Sequence, residues 1–351
     1  VKSQIRVRQA VARMRAHHVL IEGRAGKLRL DFNENTQGCS PKVRAALVRM
    51  TRERVAMYPE YEATRRRLAR FFRVAPAEML LANGADDALR LVADAFLESG
   101  SRVLVVDPTF PMYHHYADLA GARLVRLHYD AEMRFPLADV VQALRRGPRV
   151  FFLANPNNPT GTLVGREDLR AILRAAAKTI VVVDEAYWEF AGVTALPWIR
   201  RYPNLLVART FSKAAGLAGL RIGCLFGNRG LIGEIRKAQA PFAVNTAALV
   251  ASEAAIRDTG YIRRHVREVR LARKELTAAL VRQGIKVHPS SANFLLADFG
   301  PRAPAILRAL AQQGILLRDR TADFGRAGYV RITVGTRSQM RRLVRELERL
   351  A

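Results

Sequence analysis

Five short apolar runs, each closed by a residue that tends to end a strand, constrain the fold of this chain most. Val103-Leu104-Val105-Val106 runs into Asp107-Pro108, Phe151-Phe152-Leu153 into Asn155-Pro156, and Ile180-Val181-Val182-Val183 into Asp184. Leu205-Leu206-Val207 leads to Thr210, and Gly223-Cys224-Leu225-Phe226 to Gly227. Their length, β-branching and turn-residue ends read as buried strands. Helical patterns lie between several of them, at 85–97, 112–120, 137–144 and 166–177. This alternation predicts an α/β fold, with a mostly parallel sheet and helices on both faces.

After about residue 245 the pattern changes. The spacing predicts a long helix over 246–283, carrying Leu271, Leu276 and Leu280. A strand follows at 293–297, a helix at 303–313, strands at 315–317 and 329–334, and a helix at 338–350. With few strands, this part is α+β. A chain of 351 residues suits two lobes. The expected division is a large domain over 41–245 and a small α+β domain over 246–351. An N-terminal segment, 1–40, joins the small domain through a strand at 28–32.

The chain carries 58 Lys plus Arg against 31 Asp plus Glu, a net charge of +27. Only eight of the 58 are lysine, which leaves 50 arginines. Such an excess is one mark of nucleic-acid binding. Its spread argues against that role here. Arginines recur along every expected helix, the densest runs are Arg65-Arg66-Arg67 and Arg341-Arg342, and no zinc-finger or RNA-binding signature accompanies them. No nucleic-acid partner is expected. Two distant cysteines, Cys39 and Cys224, offer neither a disulfide framework nor a metal site, which suits a reducing cytoplasm. No apolar stretch approaches the ~18 residues of a membrane span. The Arg-rich start, whose longest apolar run is Val19-Leu20-Ile21, reads as a surface helix rather than a leader.

Ligands in an α/β sheet sit beyond the carboxyl ends of the strands, and the suggestive residues fall there. Asp184 closes a strand that holds no other charge; a turn or cap residue and a ligand-facing acid are equally open readings of this segment alone. Lys213 follows Thr210-Phe211-Ser212 and precedes the small-residue run Ala214-Ala215-Gly216-Leu217-Ala218-Gly219-Leu220, then Arg221. In a chain so poor in lysine, one here is informative. Lysine can lose its proton and attack a carbonyl carbon, which arginine cannot do. An exposed loop lysine is the weaker alternative. Asn155-Pro156-Asn157-Asn158-Pro159-Thr160-Gly161 holds amides on a stiff turn. Asn83-Gly84-Ala85-Asp86 opens a helix whose free N–H groups suit an anion. Phe110, after Asp107-Pro108-Thr109, is either a core ring or one that stacks on a planar ligand.

A lysine nucleophile, a carboxylate, an amide, an anion cradle with hydroxyls and Arg221, and a stacking ring are what a planar pyridine aldehyde bearing a phosphate requires. The set resembles the fold-type I pyridoxal-phosphate aminotransferases, and among them the histidinol-phosphate aminotransferase group. The resemblance spans nearly the whole chain. It rests on Leu30-Asp31-Phe32-Asn33-Glu34-Asn35, Tyr58-Pro59, the segments at Asn83 and Asn155, Val183-Asp184-Glu185-Ala186-Tyr187, the stretch from Arg209 to Arg221, and Val330-Arg331-Ile332-Thr333-Val334-Gly335-Thr336. It implies pyridoxal phosphate as cofactor and Lys213, Asp184 and Tyr187 as the catalytic set. Lys213 carries the cofactor as a Schiff base and shuttles the substrate proton; Asp184 pairs with the pyridinium nitrogen. Asn158 and Tyr187 meet the ring hydroxyl, and Phe110 stacks on the ring. N–H groups of Ala85 and Asp86, the hydroxyls of Thr210 and Ser212, and Arg221 bind the phosphate. Tyr58 reaches the cofactor phosphate of the neighbouring subunit in a homodimer. Asn33, Arg318 and Arg331 face the substrate, the arginines gripping its distal phosphate or carboxylate. No metal is expected.

The chain departs from the group in two places. Asn33-Glu34-Asn35 continues as Thr36-Gln37-Gly38-Cys39 instead of Pro-Tyr-Gly, and an upstream Pro-Tyr is missing where His17-His18 lie. Both departures bear on the substrate and leave the cofactor set intact. The expected reaction is amino transfer between L-histidinol phosphate and 2-oxoglutarate. The alternatives are an aromatic or broad-range aminotransferase, a threonine-phosphate decarboxylase-like enzyme, and a cofactor-binding sensor domain. The last is opposed by how early in the chain Asn33 falls.

Overall fold

The apolar runs become the strands of one sheet in the computed structural model, which describes residues 7–14 and 22–350. His17 and His18 lie outside the described residues. Twelve strands form among those described: β1 (Leu28–Leu30), β2 (Met79–Ala82), β3 (Arg102–Asp107), β4 (Arg123–His128), β5 (Val150–Ala154), β6 (Ile180–Asp184), β7 (Leu205–Thr210), β8 (Gly223–Gly227), β9 (Lys286–His288), β10 (Phe294–Asp298), β11 (Ile315–Asp319) and β12 (Tyr329–Thr333).

Seven of them make a sheet in the order β2-β8-β7-β6-β5-β3-β4. Strands β3 to β7 run parallel, and β8 lies antiparallel to β2 and β7. The middles of the central strands, 103–106, 150–154, 180–183 and 205–208, are apolar throughout because both faces are covered. Phe151, Val181, Val183 and Val207 pack into a cluster on one face, and Phe152, Val182 and Leu206 into one on the other. Each such side chain contributes about 1.5–3 kcal/mol on burial. The parallel register matters for function. Ala154 pairs with Asp184, and Asp184 with Ala208, so the carboxyl ends of β5, β6 and β7 open on one edge.

The second sheet has five strands in the order β1-β11-β12-β10-β9. β1 is parallel to β11, and the other pairs are antiparallel. Arg318 on β11 is the register partner of Arg331 on β12. Helices Thr259–Arg282, Ala303–Gln312 and Arg337–Leu350 fill its core with Val269, Leu276, Leu280, Leu310, Met340, Leu343 and Leu347.

One expectation is corrected. The long helix over 246–283 is two helices, Thr246–Arg257 and Thr259–Arg282, parted at Asp258. Asp258 leaves helical geometry at φ −117°, ψ 49°, and its carboxylate accepts from the Ser40 hydroxyl. Aspartate is a poor helix interior because its side chain competes with the helix for backbone bonds, and here the distant Ser40 holds it. Leu271 is no core residue, being 45% exposed. Strand β4 had no sequence signal, because as an edge strand it carries Arg123, Arg126 and His128 among its few apolar residues. Among the described residues, no helix is long and apolar enough to cross a membrane, and no group of His, Cys, Asp and Glu has metal-binding geometry.

Candidate active site

A cavity of about 670 Å³ opens at the carboxyl ends of β5, β6 and β7 and is closed from the other sheet by β11 and β12. Asn33, Ala85, Asp86, Phe110, Asn158, Asp184, Tyr187, Thr210, Ser212, Lys213, Arg221, Arg318 and Arg331 all line it. Residues from 33 to 331 thus converge on one place. Tyr58 does not line it; it is 75% exposed and stacks on Phe242 with centroids 4.3 Å apart.

Asp184 is buried at the end of β6. Its carboxylate accepts from the Tyr113 hydroxyl at 2.8 Å and from the Ala186 N–H at 3.1 Å. Burial raises its pKa from the ordinary 3.8 to about 6, against the lowering effects of Tyr113, Ala186 and Lys213. The same burial, with Asp184 beside it, drives the Tyr113 phenol well above its usual range. Tyr113 therefore stays a donor. It stacks on Phe152 with centroids 5.1 Å apart, which fixes its direction.

Lys213 Nζ donates to the Phe32 carbonyl at 3.0 Å and stands 5.7 Å from the centre of the Tyr187 ring. The Phe32 segment is itself clamped. Arg24 donates to both oxygens of Asp31, at 2.9 and 2.7 Å, reaches Glu34 at 2.8 Å, and lies 4.1 Å over the Phe32 ring. Asn33 takes a left-handed φ of 57°. Its amide donates to the Tyr187 hydroxyl at 3.0 Å, while Thr333 donates to its oxygen at 3.1 Å.

The anion cradle joins distant segments. Gly84 starts the helix Gly84–Phe96 at φ +85°, where a Cβ would lie 2.5 Å from Arg221 Nη2. Gly223 packs just as closely, since a Cβ there would lie 2.6 Å from the Gly84 carbonyl carbon and 2.7 Å from Ala85 N. Both positions require glycine. Arg221 reaches Asp86 at 3.0 Å and the Ser212 hydroxyl at 3.5 Å, and Thr210 donates to Ser212 at 2.8 Å.

A second group of guanidinium ions sits on β11 and β12. Arg331, 5% exposed, donates to Asn158 Oδ1 at 2.6 Å and to the Asp31 carbonyl, while its Nε has no hydrogen-bond partner. Burial first, then Arg320, pushes its pKa down to about 9. Arg318 faces the Phe32 ring at 5.5 Å.

Sequence reasoning missed Tyr113, Arg24 and Arg320. The period of Met112–Ala120 marks Tyr113 as a core position, not as the partner of a carboxylate. In a chain with 50 arginines, nothing local distinguishes Arg24 or Arg320. Of the asparagines in the Asn155 turn, only Asn158 lines the cavity. Asn155 exchanges bonds with Val164, and Asn157 ties Pro108 and Thr160 together.

The profile of aminotransferases of class I and II matches residues 25–347. The chain belongs to that family. Among aminotransferases, the histidinol-phosphate aminotransferase of Symbiobacterium thermophilum is 39% identical over 326 residues, covering 92% of this chain and 90% of that one. The histidinol-phosphate aminotransferase of Sinorhizobium meliloti, solved with pyridoxal phosphate, superposes with a TM-score of 0.84 at 29% identity, covering 92% of each chain. The L-threonine-O-3-phosphate decarboxylase of Porphyromonas gingivalis superposes at 0.82 with 25% identity, covering 92% of this chain and 99% of that one.

Proposed function

We propose that this aminotransferase uses pyridoxal phosphate to move an amino group between L-histidinol phosphate and 2-oxoglutarate. One observation carries the reading. Two arginine groups, Arg221 in the connection between β7 and β8 and Arg318 with Arg331 on the second sheet, line the same cavity as Lys213. A phosphate-bearing cofactor and a phosphate-bearing donor need two anion sites around one lysine.

The residues fit the cofactor. Gly84 leaves room for the Arg221 guanidinium over the first turn of its helix, and free N–H groups there complete an anion cup with Thr210 and Ser212. Asp184 is a buried carboxylate whose raised pKa marks the want of a cation, which a protonated pyridine nitrogen supplies. Phe110 lines the cavity for stacking. Asn158 and Tyr187 offer hydrogen-bonding groups at the cavity wall for the ring hydroxyl. When bound, pyridoxal phosphate supplies a sink for the electrons released at the substrate carbon and carries the amino group between substrates.

The chain's own residues do the rest. Lys213 Nζ would hold the cofactor and would move the proton at the substrate carbon. Tyr113 holds Asp184 in line, so that its charge is spent on the ring nitrogen. Arg318 and Arg331 orient the substrate through its distal phosphate, and a dicarboxylate uses the same guanidinium groups in the second half-reaction.

The division into a large lobe over 41–245 and a small one over 246–351 with residues 1–40 is part of this proposal, supported by the two sheets. So is a homodimer that brings Tyr58 to a neighbouring subunit's cofactor. The exposed stack of Tyr58 on Phe242, beside Met57 at 51% and Val55 at 68% exposure, supports it. Sedimentation of an active monomer at assay concentration overturns the dimer. The substrate is tested with a panel of amino donors, following cofactor colour in single half-reactions. Histidinol phosphate is expected to react fastest; faster turnover of phenylalanine or tyrosine replaces it with the aromatic reading.

A further inference from the structure

Arg320 lies one residue past β11 and lines the cavity beside Arg318 and Arg331. It is 6% exposed. Its backbone N–H donates to the Tyr329 carbonyl at 3.0 Å, which fixes it to β12. Its Nε stands 2.5 Å from Asp323 Oδ2, and its Nη2 is buried with no hydrogen-bond partner. Burying such a group without a partner is costly, so a partner from outside the protein is the natural complement.

The charge balance of this corner is one-sided. Three guanidinium ions, Arg318, Arg320 and Arg331, act on one half-buried carboxylate, Asp323. Arg318 has no ion-pair partner among the described residues and leans on Phe32. Glu34 also lines the cavity, but it is committed to Arg24 at 2.8 Å and Arg29 at 3.7 Å. Asp319 also acts on Arg320, but it is exposed, bonded to Thr321 and outside the cavity lining, so the cavity side of this corner keeps an excess of positive charge. A carboxylate or a sulfate ester brings one negative charge. A phosphomonoester, with its second pKa near about 6, brings close to two at neutral pH.

We propose that Arg320, held ready by Asp323, completes a three-arginine grip that selects a phosphomonoester dianion over a monoanion. This rests on the phosphorylated-donor reading above and adds a specificity-determining residue to it. Arg331 and Arg318 hold either anion; Arg320 engages the third oxygen, which only the dianion presents with full charge. Asp323 keeps the guanidinium aimed when the cavity holds a monoanion.

The test compares benzyl phosphate with benzyl sulfate, which share shape and differ in charge, as competitive inhibitors of the donor half-reaction in the cofactor-loaded enzyme. The wild type is expected to prefer the phosphate by about 10- to 100-fold, the range for one hydrogen bond to a charged group. R320Q is expected to bring the two inhibitors within about threefold of each other, with cofactor absorbance unchanged and the 2-oxoglutarate half-reaction slowed far less than the histidinol-phosphate one. An undiminished preference in R320Q overturns the role of Arg320 and leaves the phosphorylated-donor reading standing. A wild type that shows no preference overturns that reading and the inference with it. Should R320Q fail to hold the cofactor, R320M decides: it removes the charge and keeps an apolar stem, so near-parity of the two inhibitors supports the grip and an undiminished preference overturns it.

Discussion

Replacing Asp184 by Asn separates the cost of that carboxylate from its use. Burial lifts its pKa from 3.8 to about 6. With a folded pKa above the unfolded one, the group favours the fold only while protonated. That contribution is complete below 3.8 and is lost as pH rises through about 6. Ionising it in place therefore costs the cofactor-free protein roughly 3 kcal/mol. Asparagine has nearly the same shape, and its oxygen accepts from Tyr113 without bearing charge. Cofactor-free Asp184→Asn is expected to exceed the parent in stability by about 1–3 kcal/mol near pH 8, and to lose that advantage near pH 4. Denaturant unfolding at the two pH values measures it. With cofactor bound the order reverses, because the pyridine nitrogen loses its anion, and turnover is expected to fall by roughly a hundred- to a thousandfold. If the cofactor-free variant were less stable than the parent at both pH values, the protein alone would be satisfying the carboxylate, and the reasoning would be wrong.

Lys213→Arg is expected to bind the cofactor without covalent attachment and to be inactive; borohydride reduction and peptide mapping of the wild type should label Lys213, and a label on Lys178 or Lys237 would refute the assignment. Arg331→Ala should weaken anionic donors and 2-oxoglutarate together by on the order of 2–5 kcal/mol, with cofactor absorbance unchanged; intact half-reactions would make the arginine structural. Gly84→Ala forces φ +85° on an L-residue and drives a Cβ to 2.5 Å from Arg221. It is expected to weaken cofactor binding by about 1–3 kcal/mol, read by equilibrium dialysis, with the substrate's apparent affinity in the loaded enzyme little changed.

The large sheet was legible because its central strands are covered on both faces. Continuous apolar runs such as Leu205-Leu206-Val207 are the pattern of strands covered on both faces, and the residues ending β5, β6 and β7 mark where the site lies. What escaped the sequence was whatever lacked that one-dimensional signature. β4 pairs along one edge only and tolerates arginine, so its pattern dissolves. Asp258 breaks a helix through a bond to Ser40, more than two hundred residues away in the chain, and no local window contains that partner. Lys213 and Asp184 stood out by being rare in their setting. Arg320 and Tyr113 are common residues whose importance comes from what the fold brings to them: a buried Nη2 beside a cavity in one case, and a carboxylate across a helix–strand contact in the other.

The packing of Gly223 flush against Gly84 and Ala85 has a consequence for the order of events when the cofactor arrives. Backbone lies on backbone there, with no side chain between to rearrange, so the cup for the phosphate is already in shape when folding ends. Its ordering entropy has been spent before any ligand appears. Capture is then an encounter between a small anion and a rigid, positively charged dish on a protein of net charge +27. Such an encounter is fast, and it slows as salt screens the field. Lys213, whose Nζ is engaged by the Phe32 carbonyl, would hold the cofactor covalently after that encounter, so salt is expected to slow loading and to leave the covalent hold unchanged.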